Sequence, residues 1–400
     1  MYIKREEYLD KLIGFKDKQI IKVVTGVRRC GKSTLFKMYQ DYLVSVGVKK
    51  EQIIAINFED YAYDNLIEPK ELYRYIESKL LGNNKSYIFL DEIQNVRDFP
   101  RVIDSLYLKE NVDIYLTGSN AYMLSSDIST LLTGRYVEIK MLPLSFKEYV
   151  SSTGDFNNLQ SKYKDYIEST SFPFALELKK PDLIKDYMEG LLNTIINKDV
   201  VNRNKITDIM VFQSILRYVF DNIGSQLSSK KIADTLTSNG RKIDSKTIEK
   251  YLSWLKDSFI IYEAKRFNIK GKEYLKTLEK YYVVDIGLRR TLLGNSYTDI
   301  GHILENVIYL ELIRRNYKVS IGKINDLEID FVAQNYEETI YIQVAATLRD
   351  ATTLKREITS LEKIDDHYQK IILTLDEDPS SSYNGIKIIN ALEWLVGKSK

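Results

Sequence analysis

The chain has 400 residues, of which 44% are hydrophobic and 28% charged, with a formal net charge of +2; this is the composition of a globular protein with room for two or three domains. It contains no run of eighteen apolar residues and no apolar signal-peptide core near residues 1–7, so no membrane partner is expected. The single cysteine, Cys30, excludes an internal disulfide and fits a cytoplasmic setting, while two histidines, His302 and His367, exclude a His/Cys metal cluster.

A β-branched run over residues 19–25 predicts a strand, and residues 33–39 read as the start of a helix. Between them, Gly26-Val27-Arg28-Arg29-Cys30-Gly31-Lys32-Ser33-Thr34 fits G-x-x-x-x-G-K-[ST]. Glycines let such a loop curl until its N–H groups point at phosphate oxygens, and the helix N-terminus adds anion affinity. Lys32 would reach the β- and γ-phosphates, and the Ser33 hydroxyl would take a place on Mg²⁺. Candidate nucleotide contacts are Gly26, Arg29, Gly31, Lys32, Ser33 and Thr34; Arg28 and Arg29 either touch phosphate or face the next domain. Cys30 reads as a small loop filler.

Residues 86–91 form a nearly continuous apolar run, the pattern of a buried parallel strand. Asp91 and Glu92 follow at its C-terminal end, where open α/β sheets hold their ligands. Asp91 is assigned to the metal shell and Glu92 to the base that orients an attacking water. A further strand over residues 112–116 ends in Thr117-Gly118-Ser119-Asn120. Ser119 and Asn120 are candidate γ-phosphate contacts, with Thr117 a third choice; the alternative is a plain strand-to-helix turn with an N-cap.

Leu131-Leu132-Thr133-Gly134-Arg135-Tyr136 and Leu142-Pro143-Leu144-Ser145-Phe146-Lys147-Glu148-Tyr149 complete a series of motifs. In this order they resemble a large group of prokaryotic AAA+-type ATPases, along nearly the whole chain. The resemblance implies ATP as ligand, hydrolysis with Mg²⁺, and a homo-oligomer with sites at subunit interfaces. It makes Ser119 and Asn120 sensor residues and Arg135 an arginine finger on a neighbour's γ-phosphate; the alternative is a surface Arg135 paired with Glu138 or Glu148. Lys198-Asp199-Val200-Val201-Asn202-Arg203 resembles an element that completes the nucleotide interface through Arg203.

The fold class expected is α/β: a P-loop parallel sheet, then a winged helix-turn-helix, then a restriction-endonuclease-like α/β domain. The expected domains are 1–145 (ATPase), 146–206 (helical linker), 207–285 (winged helix) and 286–400. In the third, helices are expected near 209–222, 229–236 and 245–259, with a hairpin of 259–264 and 281–284. Residues 230–280 hold 13 basic and 7 acidic residues, the footprint of a duplex DNA binder. Arg241, Lys242, Lys246 and Lys250 lie before and on the recognition helix, and Lys265, Arg266, Lys270 and Lys272 on the wing. The alternative is a protein-contact module with an unidentified protein partner.

The last domain reads as a helix carrying Glu305, three strands, a helix and further strands, an order that resembles the PD-(D/E)XK nuclease fold. Glu305 and Asp330 match its first two acids, which hold a divalent metal in such enzymes. The Glu-x-Lys element is replaced by Gln343-Val344-Ala345; Gln343 is a weak ligand and Ala345 has no amine, so efficient cleavage is not expected. The function expected is an Mg²⁺-dependent ATPase acting on or with DNA. The alternatives are an ATP-dependent nuclease and a nucleotide switch recruiting a protein.

Overall fold

The computed structural model describes all residues except 1–2, 83, 122–131, 133, 239, 242, 276–277, 295–298, 380–381 and 399–400. It divides into two compact units, residues 1–143 with 257–259 and residues 144–256 with 260–400.

The first unit is built on strands β1 (Ile21–Thr25), β2 (Ile53–Asn57), β3 (Ser86–Asp91), β4 (Val112–Gly118) and β5 (Tyr136–Lys140), joined by helices α1 (Glu6–Gly14), α2 (Lys32–Ser45), α3 (Pro69–Lys79) and α4 (Phe99–Tyr107). The strands form one parallel sheet in the order β2-β3-β4-β1-β5. Every residue of β1, β3 and β4 is buried, as the apolar runs predict for central parallel strands covered on both faces. The α/β sheet read from the sequence is therefore present. Its order inserts β4 between β1 and β3, so the strand ending at Thr117 and Gly118 separates the glycine loop from Asp91.

At the other end of β1 and β4 the sheet buries a charge. Lys22 and Asp113 are fully buried and ion-paired. Asp113 Oδ2 also accepts from the Tyr115 hydroxyl at 2.8 Å and the Asp17 amide at 2.9 Å, and Tyr115 meets the Tyr39 hydroxyl at 2.9 Å. Burial pulls the Lys22 pKa down, opposed by Asp113.

The second unit opens with α5 (Phe146–Ser152), α6 (Leu159–Glu168) and α7 (Pro181–Thr194), the last running into a π-helical turn over Ile195–Asn202. Ser145 and Glu148 form a reciprocal capping box at the start of α5, at 3.0 and 2.8 Å. Next come α8 (Ile209–Asp221), β6 (Gln226–Leu227), α9 (Ser229–Ser238), α10 (Ser245–Asp257), β7 (Ile261–Ala264), β8 (Arg266–Asn268), β9 (Glu273–Tyr274) and β10 (Glu279–Val283). Strands β6, β10 and β7 make a small antiparallel sheet.

The remaining elements are α11 (Ile286–Leu293), α12 (Ile300–Arg314), β11 (Lys318–Ile324), β12 (Leu327–Gln334), β13 (Thr339–Ala345), α13 (Ala351–Glu362), β14 (Gln369–Thr374), β15 (Ser382–Tyr383), β16 (Ile386–Asn390) and α14 (Ala391–Val396). They form an eight-stranded sheet in the order β15-β16-β14-β13-β12-β11-β8-β9. The segment expected as the wing pairs with the large sheet: β8 runs parallel to β11, with Arg266 opposite Ile321, and β9 continues the edge. Backbone groups between β7 and β10 bond to the large sheet, and the division expected at residue 285 is crossed by these two strands.

Asp113→Ala leaves the Lys22 ammonium buried without its carboxylate. It should lower the unfolding free energy by about 3–5 kcal/mol, read from urea denaturation followed by far-ultraviolet circular dichroism; an unshifted midpoint would contradict the buried pair.

Candidate functional site

Gly26 follows β1 where no side chain fits: a Cβ there would lie 2.1 Å from the Met141 carbonyl oxygen and 3.1 Å from Cys30 Sγ. The chain then turns through Arg29 at φ 66° and Gly31 at φ 109°, both left-handed, and α2 starts at Lys32. This is the strand, tight loop and helix N-terminus that the motif requires. Cys30 is fully buried, and burial pushes its thiol up, which suits a packing atom. Arg28 reaches Glu59 Oε1 at 2.6 Å.

Lys32 is buried, and its Nζ donates to the Gly26 carbonyl at 2.9 Å and lies 3.5 Å from Glu92 Oε1. Burial alone would lower its pKa, but the surrounding negative charge, including Glu92 and Asp91, raises it, so the ammonium stays charged. Asp91 and Glu92, at the end of β3, have separate partners. The Asp91 carboxylate accepts from Thr117 Oγ1, and burial raises its pKa, opposed by the nearby Ser33 and Thr117 hydroxyls. Glu92 has φ 56° and ψ 47°, a left-handed conformation worth roughly 1–2 kcal/mol of strain in a residue with a Cβ. This turn aims its side chain at Lys32. Burial would push Glu92 up, yet Lys32, hydrogen bonds from Gln94 and Ser119, and Arg28 together pull it below the ordinary value. Its amide donates to Thr117 Oγ1 at 2.9 Å.

The donor set suits a magnesium nucleotide. One hydroxyl and one carboxylate, Ser33 and Asp91, meet as Mg²⁺ ligands would, leaving other positions to water and phosphate. The Gln94 Oε1 is buried beside Glu92 with no partner among the described residues.

Residues 18–150 match the family described as AAA domain, and residues 160–299 match a domain of unknown function. An uncharacterized protein of Haemophilus influenzae is 38% identical over 398 residues, covering 98% of each chain. One of Methanocaldococcus jannaschii is 31% identical over 378 residues, covering 89% of this chain and 82% of that one. This chain belongs to their family. Its fold is similar to that of the Walker-type ATPase PABY2304 of Pyrococcus abyssi, with a TM-score of 0.52 at 16% identity, covering 73% of this chain and 96% of that one.

Within the AAA domain, Lys32, Ser33, Asp91, Glu92 and Ser119 come together as the sequence implied. Asn120 is buried beside Ser119 at the end of β4. Thr117, held in reserve as a third choice, is the hub between the two acids. Gln94 and Glu59 escaped notice, because neither a glutamine two residues past an acidic pair nor a lone glutamate carries a sequence signal. Arg135 is not part of this cluster. It precedes β5, whose first residue pairs with Ile21, so the length of β1, roughly 16 Å for five residues, separates it from the glycine loop. Its side chain pairs with Asp104 and covers the Tyr107 ring at 5.4 Å. The partners expected for it are engaged elsewhere: Glu138 accepts from Thr25 at 2.6 Å, and Glu148 closes the capping box.

Among the DNA-contact candidates, Lys246 and Lys250 are exposed on α10, one turn apart, and Lys250 lies 4.8 Å from the Trp254 ring centre. Arg241 is turned inward and donates to the Met210 carbonyl at 2.6 Å and to Ser214, so it is a tie to α8. Lys242 lies outside the described residues. Lys270 donates to Asn325 Oδ1 at 3.0 Å, and Lys272 is exposed, both at the edge of the large sheet. Arg203 caps the π-helical turn in the second unit. Glu305 and Asp330 do converge, around Lys280, whereas Gln343 accepts the Asp330 amide and points its Nε2 to Glu357 and Ser360.

Thr117→Val removes the acceptor of the Glu92 amide while keeping the shape. It should cost about 1–3 kcal/mol, seen as a lower thermal midpoint, whereas Thr117→Ser should lose only about 0.8 kcal/mol for the missing methyl.

Proposed function

We propose that the AAA domain binds ATP with Mg²⁺ and hydrolyses it. The observation that carries this reading is the convergence of Lys32, Ser33, Asp91, Glu92 and Thr117 at the C-terminal ends of β1, β3 and β4. Gly26, Arg29, Gly31 and Thr34 supply the loop and helix start around the phosphates, and Lys32 binds the β- and γ-oxygens. Ser33 and Asp91 hold the cation, which supplies charge neutralisation on the transferring phosphoryl group. Glu92, kept ionised by Lys32, orients the attacking water and takes its proton; Gln94 offers that water a second acceptor. Ser119 and Asn120 sense the γ-phosphate. Arg135, at the far end of its own sheet, is suited to a neighbouring copy's site, which calls for a homo-oligomer.

We further infer that α8, β6, α9, α10 and the β7–β10 hairpin are a winged helix-turn-helix acting with duplex DNA. The order of elements and the exposed Lys246 and Lys250 on α10 favour this reading. The wing's basic residues contribute from the edge of the large sheet. Glu92 weighs against a pure nucleotide switch, which has no use for a base.

Lys32→Ala should weaken binding of a fluorescent ATP analogue at least ~100-fold, since it removes the phosphate cation. Glu92→Gln should keep nucleotide affinity within a few-fold while phosphate release falls by about 10²–10⁴. Hydrolysis at the wild-type rate in Lys32→Ala would sink the proposal. For DNA, Lys246→Glu with Lys250→Glu should weaken duplex binding by fluorescence anisotropy and reduce the slope of log K against log salt by about 2.

A further inference from the structure

The PD-(D/E)XK resemblance implies a divalent cation between Glu305, Asp330 and the residue at 343. The residues present do not fit one. Lys280 on β10 is buried, and its Nζ sits 2.9 Å from Glu305 Oε1, 2.8 Å from Glu328 Oε1 and 3.8 Å from Asp330 Oδ1. An ammonium therefore stands at the point on which the acids converge. Further donors from within the fold reach the same acids. The Tyr282 hydroxyl donates to Glu305 Oε1 at 2.6 Å, Gln226 donates to Glu328, and the Val344 amide donates to Asp330 Oδ2 at 2.8 Å. Gln343 faces away from any shared ion. Its Oε1 accepts the Asp330 amide at 2.6 Å, and its Nε2 donates to Glu357 Oε2 at 2.6 Å and Ser360 Oγ at 3.0 Å. Among the described residues, no group of three or more His, Cys, Asp or Glu is arranged to hold a metal.

Charge explains why these changes belong together. A monovalent ammonium offsets fewer buried carboxylates than a divalent ion, and an unbalanced buried carboxylate is costly. A neutral glutamine at 343 removes one negative charge from the cluster, and Arg356 pairs with Glu357 behind it at 2.6 Å. The adjacent residue of α12 adds a second clamp: Asn306 accepts the Val283 amide at 2.8 Å and donates to the Val283 carbonyl at 2.9 Å, an amide pairing with β10 itself. Consecutive residues of α12, Glu305 and Asn306, thus hold the strand that carries Lys280.

We propose that the nuclease-like part of the second unit has exchanged its divalent cation for the Lys280 ammonium, and that the acid cluster is now an internal ion-pair lock fastening β10 of the small sheet to α12 and β12. It neither binds Mg²⁺ nor cuts DNA. The hairpin of the helix-turn-helix is held rigidly to the large sheet, by this lock and by β8 pairing on β11. The inference rests on the second unit alone and does not depend on the ATPase reading.

The test is Mn²⁺ binding followed by electron paramagnetic resonance on the full chain without nucleotide. Wild type and Asp330→Asn should bind the same number of ions, because any ion at Asp91 is common to both. A wild-type Mn²⁺ site that Asp330→Asn removes would overturn the proposal, as would plasmid cleavage in Mg²⁺ or Mn²⁺ that the same variant abolishes. Lys280→Met, which keeps the stem and removes the charge, should lower the thermal midpoint of the full chain by about 5 °C or more; a midpoint equal to wild type would also overturn it. If that variant fails to fold, the Asp330→Asn comparison decides alone.

Discussion

The candidate nucleotide site depends on one hydroxyl. Thr117 Oγ1 donates to the Asp91 carboxylate and accepts the Glu92 amide, so one side chain fixes the positions of both acids. It can do so because β4 lies between β1 and β3, with Thr117 opposite Val24 on one side and Leu116 opposite Leu90 on the other. The neighbours Asp91 and Glu92 are both buried, yet their environments push them apart. Asp91 continues the strand toward Ser33 and is raised by burial, while Glu92 turns left-handed toward Lys32 and is lowered.

The second unit uses charge in the opposite sense. At the AAA site, the cation Lys32 sits beside acids that still have a free edge, with Gln94 Oε1 unpaired among the described residues. At the Lys280 cluster each acid takes a hydrogen bond from within the fold as well as facing the ammonium. The first arrangement lies at a glycine loop and helix N-terminus that can take an anion; the second has an ammonium where its acids meet. The same residue types, a lysine and neighbouring carboxylates, therefore make a binding site in one place and a fastening in the other. What separates them is whether the surrounding polar groups are satisfied.

Much of the first unit was legible because its signals are local. A glycine loop between an apolar strand and a helix, and a buried strand ending in two acids, are contiguous in the chain. What short spacing left open came from long-range pairing. Arg135 precedes β5 and Lys32 follows the neighbouring β1, and only the parallel direction of those two strands puts the residues at opposite ends of the sheet. No sequence pattern announces that Arg266, on the expected wing, pairs with Ile321 across more than fifty residues. Arg241 looked like a surface cation until α8 supplied Ser214 and the Met210 carbonyl.

From its order of residues alone, the chain declares a phosphate-binding loop and the acids that go with it. These are matters of residue type and short spacing, which backbone geometry converts directly into local structure. Only the tertiary structure decided that Thr117 links the two acids, and that Lys280, read from the sequence as one more basic residue of a DNA-binding stretch, is buried among Glu305, Glu328 and Asp330. A lysine's role is set by the dielectric and the charges around it, and those come from strands and helices far away in the chain.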